Sequence, residues 1–217
     1  MIKYTNESEH LTLIINYDDS PQSPREWSNI GTFLAWQDRY NSPDKNNFND
    51  MEEFFSEMIG EQTYENIYNK STSVHQLFEM LQNAMDRKGY ILYPITREEH
   101  GNVYYSIGTN QGWDVGIVGV YFTEKEKIYK EFEVKKISKE LREKIKFIVE
   151  SEIEIYNQYA NGEVWGYIVE KDNEIVDSCY GFYGDMNDKK EVFQTVNDYF
   201  PLGNFSELKE IKPQYIY

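Results

Sequence analysis

The sequence predicts an α+β fold: a mostly antiparallel sheet with helices packed on it, including a long helix near 138–160 followed by a hairpin. Three observations predict it. Ile137, Leu141, Ile145, Ile148, Val149 and Tyr156 recur at helical spacing, giving one apolar stripe that needs a sheet or helix to cover it. Two strand-like runs follow at once, 163–170 and 175–183, joined by the turn KDNE, which reads as a β-hairpin. Leu11 to Tyr17 (LTLIINY) is rich in branched residues and stops at Asp18-Asp19-Ser20-Pro21, so a strand ends in a turn. A chain of 217 residues can form one domain over 1–217, with room for a small lobe at 41–89.

The remaining elements follow from local signals. Prolines and small polar residues make 20–31 an ordered loop, and 32–40 (TFLAWQDRY) fits a short helix or a strand. Residues 41–50 are turn-like. Asp50 can cap a short acidic helix through Ile59, whose Met51, Phe54, Phe55 and Met58 form one apolar side. Ser73 with Gln76 makes a capping-box pattern before Val74, Leu77, Phe78, Leu81, Ala84 and Met85, so a helix spans 74–87 and ends at Lys88-Gly89. Residues 90–95 read as a strand that Pro94 places at an edge or near its end. Two more strands are expected at 103–107 and 115–122, separated by the glycine-rich GTNQGWD. Ser138 can cap the long helix and Asn161-Gly162 can close it. Its cations come early and its acids late, the reverse of what the helix dipole favours, so stability of the isolated helix does not explain the order. A short helix around Val192, Val196 and Tyr199 precedes Pro201 and a final edge or loop.

Composition narrows the class of function. Forty per cent apolar residues with 12 Phe, 19 Tyr and 4 Trp can fill a core, which argues against disorder. One cysteine, Cys179, leaves no intramolecular disulfide, and its place in a strand pattern predicts a buried, inert thiol. His10, His75 and His100 are far apart, so neither a metal nor any other cofactor is expected. The first residues carry no signal-peptide pattern and no long apolar run occurs, so the expected setting is cytoplasmic. A net charge of −16 disfavours direct contact with nucleic acid or an anionic membrane. The charge is uneven. Residues 124–146 hold 9 basic and 6 acidic side chains, whereas 147–217 hold 5 basic and 14 acidic.

Two regions could carry chemistry. Asp18, Asp19, Arg25, Trp27 and Arg39 crowd the first loop and its continuation, and Trp113 and Asp114 sit in the glycine-rich turn, so these seven residues are a candidate pocket. The structural alternative is that Asp18 and Asp19 stabilise their turn while Arg25 or Arg39 pairs with a nearby acid. The glycine spacing is not that of a phosphate-binding loop, and a turn with a buried Trp113 reads better there. Glu150, Glu152, Glu154, Asp172 and Glu174 form a candidate partner-binding acidic surface, because acids one helical turn apart lie about 5–6 Å from one another, close to a phosphate spacing.

The segments DDSPQSPREWSNIGTFLAWQDRY (18–40), GWDVGIVGVYFTEKEKIYKEF (112–132), KKISKELREKI (135–145) and EIYNQYANGEVWGYIVEKDNEIVDSCYGFYG (154–184) together resemble a family of uncharacterised proteins of bacteriophages and other mobile elements. Residues 41–72 look less like that family. The resemblance implies a small protein in a bacterial host cell that blocks a host defence or adjusts host metabolism. With the acidic charge, it leads to an expected inhibitor of a host protein, such as a basic nucleic-acid-binding defence nuclease blocked by nucleic-acid mimicry. A small hydrolase using the first-loop acids and arginines, and a structural or regulatory interaction module, stand as alternatives.

Overall fold

The computed structural model describes residues 1–6, 10–37, 39–110, 112, 115–186, 190–199 and 209–211. In chain order the elements are β1 (Ile2–Asn6), β2 (Leu11–Tyr17), β3 (Thr32–Ala35), α1 (Met51–Ile59), α2 (Glu61–Lys70), α3 (Val74–Arg87), β4 (Tyr90–His100), β5 (Asn102–Ile107), β6 (Val115–Glu124), α4 (Lys125–Glu131), α5 (Lys139–Ala160), β7 (Val164–Lys171), β8 (Glu174–Tyr183), α6 (Lys190–Tyr199) and β9 (Lys209–Ile211). They belong to two compact units, one of residues 1–23 with 158–217, the other of residues 24–157. The fold is α+β with antiparallel sheets, and the long helix α5 is followed by the hairpin β7–β8 as expected.

The first unit is built on a five-stranded sheet in the order β8-β7-β2-β1-β9. Leu13 opposite Val169 and Ile15 opposite Tyr167 share one face, which packs with Trp165, Tyr4, Val192 and Val196 into a closed apolar core. The hairpin turn is two residues long, because Lys171 pairs with Glu174 and Asp172 and Asn173 both take positive φ, 51° and 66°. That geometry matches the twist of the flanking strands, and short polar residues tolerate it. The register slips twice along β8, leaving Val176 and Gly181 as extra residues opposite β7. Gly166 has a local reason: a Cβ there would lie 2.3 Å from the ring of Tyr180, which occupies that space.

The second unit holds a four-stranded sheet in the order β3-β6-β4-β5. One face packs against α1, α2 and α3, where Phe54, Phe55, Phe78, Leu81 and Met85 share a core with Leu34, Leu92 and Val120. Asp50 caps α1 by accepting from Glu53 N, and Ser73 caps α3 by accepting from Gln76 N. The other face receives α5, with Tyr156 packed edge-on to Phe33 at 5.5 Å and close to Tyr105. The side chain of Ser138 accepts from Leu141 N at the start of α5.

Several elements depart from expectation. Strand β1 precedes the strand expected to be first, and helices α2 and α4 were not foreseen. Only Ile67 of α2 is buried, so its place depends on packing such as the stack of Tyr64 on Phe55. The ambiguous stretch 32–40 contributes a strand, β3. Pro94 neither lies on an edge strand nor ends one, since β4 runs on to His100 between β6 and β5. The physical reason is local: pairing with β5 starts at Ile95, so the missing N–H falls beyond the ladder, while Pro94 O accepts from Gly108 N. Cys179 is exposed, contrary to the expected buried thiol, because β8 is the edge strand of its sheet.

The edges of the four-stranded sheet are closed by other parts of the same unit. Along β3, Phe33 N donates to Asp44 Oδ2 and Asp44 N donates back to Phe33 O, while Ala35 N donates to Ser42 Oγ. Along β5, the buried Asn157 amide accepts from Tyr105 N at 2.8 Å and donates to Tyr105 O at 2.9 Å, as a neighbouring strand would. The reversed charge order of α5 also finds its explanation here. Arg142 binds Asp86 at the end of α3, and the Lys144 ammonium lies 5.0 Å above the Phe132 ring, so tertiary partners hold the early cations.

Two stability measurements follow. Asn157→Ala strands the N–H and C=O of Tyr105, and urea unfolding should show a loss of about 2–4 kcal/mol; a loss under about 0.5 kcal/mol would mean that water replaces the amide. Asp86 is affected by burial, which raises its pKa, but hydrogen bonds from Lys125 and Arg142 prevail and leave it below its ordinary value. Its contribution is therefore present above the unfolded carboxylate pKa and is lost as pH falls through the lower folded value. Asp86→Asn should flatten the acid limb of the stability profile below about pH 4, leaving other carboxylates to drive what remains.

Candidate functional site

The densest polar cluster among the described residues forms around Arg25. A single 3-10 turn, Pro24–Glu26, sets the residue, with Pro24 buried and Arg25 turned inward so that its side chain is only 4% exposed. All five guanidinium donors are engaged. Nε and Nη2 form a fork on Asp44 at 3.1 and 2.6 Å, Nη1 reaches Asn29 Oδ1 at 3.0 Å and Glu152 Oε2 at 3.1 Å, and Nη2 also donates to Gly31 O at 2.8 Å. The guanidinium Cζ lies 5.4 Å from the Tyr121 ring centroid.

Glu152 is equally committed. Its Oε1 accepts from Ile30 N at 2.7 Å, and its Oε2 accepts from the Tyr121 hydroxyl as well as from Arg25. Tyr121 OH in turn accepts from Gly31 N at 2.8 Å. Gly31 is required by this approach, since a Cβ there would stand 2.4 Å from both Phe122 O and the Tyr121 ring. Burial, reinforced by Glu152, raises the Tyr121 phenol above its ordinary pKa, so it remains a neutral donor. Burial opposes the Arg25 charge, but the hydrogen-bonded Asp44, with Tyr121 and Glu152 beyond it, raises the guanidinium pKa instead.

This saturation decides what the cluster can do. A guanidinium with no spare donor cannot grip a substrate without first releasing a structural partner, so the assembly is a cross-link between the 24–31 loop, the 42–46 loop, β6 and α5. A small cavity of about 140 Å³ opens beside it, lined by Ser28, Asn29, Ile30, Lys127, Phe132 and Glu152 among others. Two wider and shallower grooves lie elsewhere in the unit. One of about 630 Å³ runs along Trp36, Tyr40, Lys45 and Asn49, and one of about 410 Å³ along Asp86, Tyr93, Arg142 and Lys146. Burial pushes the Tyr93 phenol up to about 12.

No family model, curated protein or solved structure matches the chain.

The residues of the candidate pocket are placed separately. Asp18 and Asp19 belong to the first unit, where Asp18 Oδ1 accepts from Ser20 N at 3.0 Å and so stabilises the turn. Arg25, Trp27 and Arg39 belong to the second unit; Trp27 is 44% exposed and Arg39 is exposed. Trp113 and Asp114 lie outside the described residues. Within the acidic set, Glu150 and Glu154 on α5 and Asp172 and Glu174 at the hairpin are exposed. Glu152 is the correction: its side chain is 15% exposed and faces Arg25, because position 152 lies one residue before the buried Ile153 and turns toward the first loop. Asp44, Asn29 and Tyr121 escaped the sequence reading. Asp44 looked like one of several polar turn residues, and nothing local tied it to an arginine 19 residues away. Among the described residues no group of three or more His, Cys, Asp or Glu could hold a metal, and no helix is long and apolar enough to cross a membrane.

Arg25→Met should cost about 3–5 kcal/mol in urea unfolding, since two carboxylates lose their buried cation. Glu152→Gln keeps the shape and should cost less, about 1–2 kcal/mol. A double variant as unstable as the sum of the two singles would show that the groups do not act as one network.

Proposed function

We propose that this chain is an acidic mobile-element protein that binds a host protein and inhibits it, a basic defence nuclease engaged in place of its nucleic acid being the leading case. The observation that supports this reading is that large apolar side chains stand bare beside acids. On α5, Phe147 is 68% exposed next to the exposed Glu150 and, one turn on, Glu154. On β8, Ile175 is 65% exposed beside Glu174, with Val176 and Tyr180 each 43% exposed. Apolar anchors give affinity and the acids around them give orientation and a fast approach to a basic surface.

The mimicry reading fits the spacing of Glu150 and Glu154, both exposed one helical turn apart on α5, where Glu150 also meets Lys146 at 3.5 Å. It needs no contribution from Glu152, whose carboxylate is held by Arg25. The hydrolase alternative loses Arg25, because every donor of that guanidinium is engaged, and retains the exposed Arg39.

Affinity capture from a bacterial host lysate tests the proposal. The intact chain should retain a basic protein at low salt and less of it at moderate salt, since screening at a Debye length of about 8 Å leaves mainly the short-range pairs. A variant with Glu150→Gln, Glu154→Gln, Asp172→Asn and Glu174→Gln should lose most of that capture while unfolding normally. Capture that is unchanged in the variant would rule out the acidic surface as the source of affinity.

A further inference from the structure

The two sheets treat their edges differently. In the four-stranded sheet, Ser42 and Asp44 cover β3, and Asn157 covers β5 at Tyr105. In the five-stranded sheet, β8 ends the order, and its exposed residues lie on both faces: Glu174, Ile175, Val176, Ser178, Cys179 and Tyr180. An open edge carrying bare apolar side chains is a template for another strand.

The direction of the backbone groups can be worked out. Val164 O accepts from Asp18 N and Glu163 O from Gly184 N, so Val164 faces β2 and its predecessor faces β8. Alternation then turns Trp165, Tyr167 and Val169 toward β8, where they meet Phe182, Cys179 and Asp177. Ser178 and Tyr180 therefore direct their N–H and C=O groups to the open side. The extra residues Val176 and Gly181 bracket this regular stretch and limit the docking length to a few residues.

We propose that β8 accepts an extended basic segment of the partner protein as a sixth strand, hydrogen-bonded to Ser178 and Tyr180 and contacting Ile175, Val176 and Tyr180. The inference rests on the reading of the chain as an acidic binding protein and names how its first unit binds. Charge selects the occupant. Asp172 and Glu174 are exposed at the hairpin end, Asp177 is half-buried within the strand, and Lys171 is the one cation of the hairpin turn. A segment alternating lysine or arginine with apolar residues would set its apolar side chains against Ile175 and Tyr180 and its cations near those acids. A second copy of this chain would bring the same acids to the edge and is the less favoured occupant.

The experiment uses the intact chain and a short synthetic peptide alternating lysine and valine. A peptide with the same number of lysines but proline at every other position serves as the control that cannot form a strand. Titration should show binding of the first and at least about tenfold weaker binding of the second. Amide exchange should slow at Ser178 and Tyr180 when the first peptide is bound. Ser178→Pro removes an outward N–H without touching the β7 ladder and should weaken the peptide about tenfold or more, with unfolding unchanged. Equal binding of both peptides, absence of binding, or no exchange protection at Ser178 and Tyr180 would each overturn strand addition; because exchange is read on the unmodified chain, a poorly folded Ser178→Pro cannot rescue the idea. Concentration-dependent dimerisation that protects the same amides would assign the edge to a second copy instead. If host-protein capture survives Ser178→Pro but is lost in the charge variant, strand addition fails while acidic binding stands. If neither variant changes capture, both fall.

Discussion

The second unit depends on a single buried cation. Arg25 has surrendered water for five protein acceptors, and its partners come from its own loop, from a second loop 19 residues on and from a helix more than a hundred residues later. Burying such a group is unfavourable unless each donor is met, and the structure meets each one. The consequence runs outward. Asp44 fixes Arg25 with the same carboxylate that receives Phe33 N, so the cation also anchors the loop that closes the edge of β3. Glu152 ties α5 to the first loop through Ile30 N and to the sheet through Tyr121. A charge that would be a candidate for chemistry in an open loop becomes a structural pin once it is enclosed.

Edge management separates the two units. A sheet strand that ends its row leaves every second N–H and C=O unpaired, and a protein must cover, blunt or use them. The 24–157 unit covers both of its edges, using a loop on one side and a single asparagine side chain on the other. The hairpin strand β8 is instead interrupted at Val176 and Gly181 and carries acids at its turn, devices that also discourage indiscriminate pairing. Acids at the edge repel an acidic strand, and the two interruptions shorten the stretch over which any strand could pair.

Signals carried by neighbouring residues were legible in the sequence. Asp50 and Ser73 cap helices where their spacing placed them, Ser138 accepts the N-terminal amide of α5, and Asp172-Asn173 makes the tight turn between β7 and β8. The candidate site was legible only as residue types, because its partners are distant in the chain. Arg25 was seen as a charge beside acids, yet the acids that hold it are Asp44 and Glu152, and neither spacing nor composition distinguishes Glu152 from the exposed Glu150 and Glu154. Cys179 failed for a related reason: an apolar alternating pattern identifies a strand, but whether the strand is interior or terminal depends on the order of pairing. Pro94 was misplaced because the proline rule concerns the pairing of one N–H, and β5 ends at Ile107, one residue short of needing it.

The charge order of α5 joins these strands of the argument. Reversed charge along a helix is unfavourable to the dipole by a fraction of a kcal/mol per exposed residue, which tertiary contacts easily exceed. Arg142 is held by Asp86 and Lys144 lies over Phe132, so these two early cations dock the helix within its own unit, while Lys146 meets only Glu150 one turn on in the same helix. The acids divide differently. Glu152 goes inward to Arg25, while Glu154 remains exposed on the same side as Phe147. One helix thus uses its early charges and one late acid for architecture and leaves a small acidic face free. The free face is what remains after structural demands are met, and it is there, together with the open edge of β8, that binding has physical room to act.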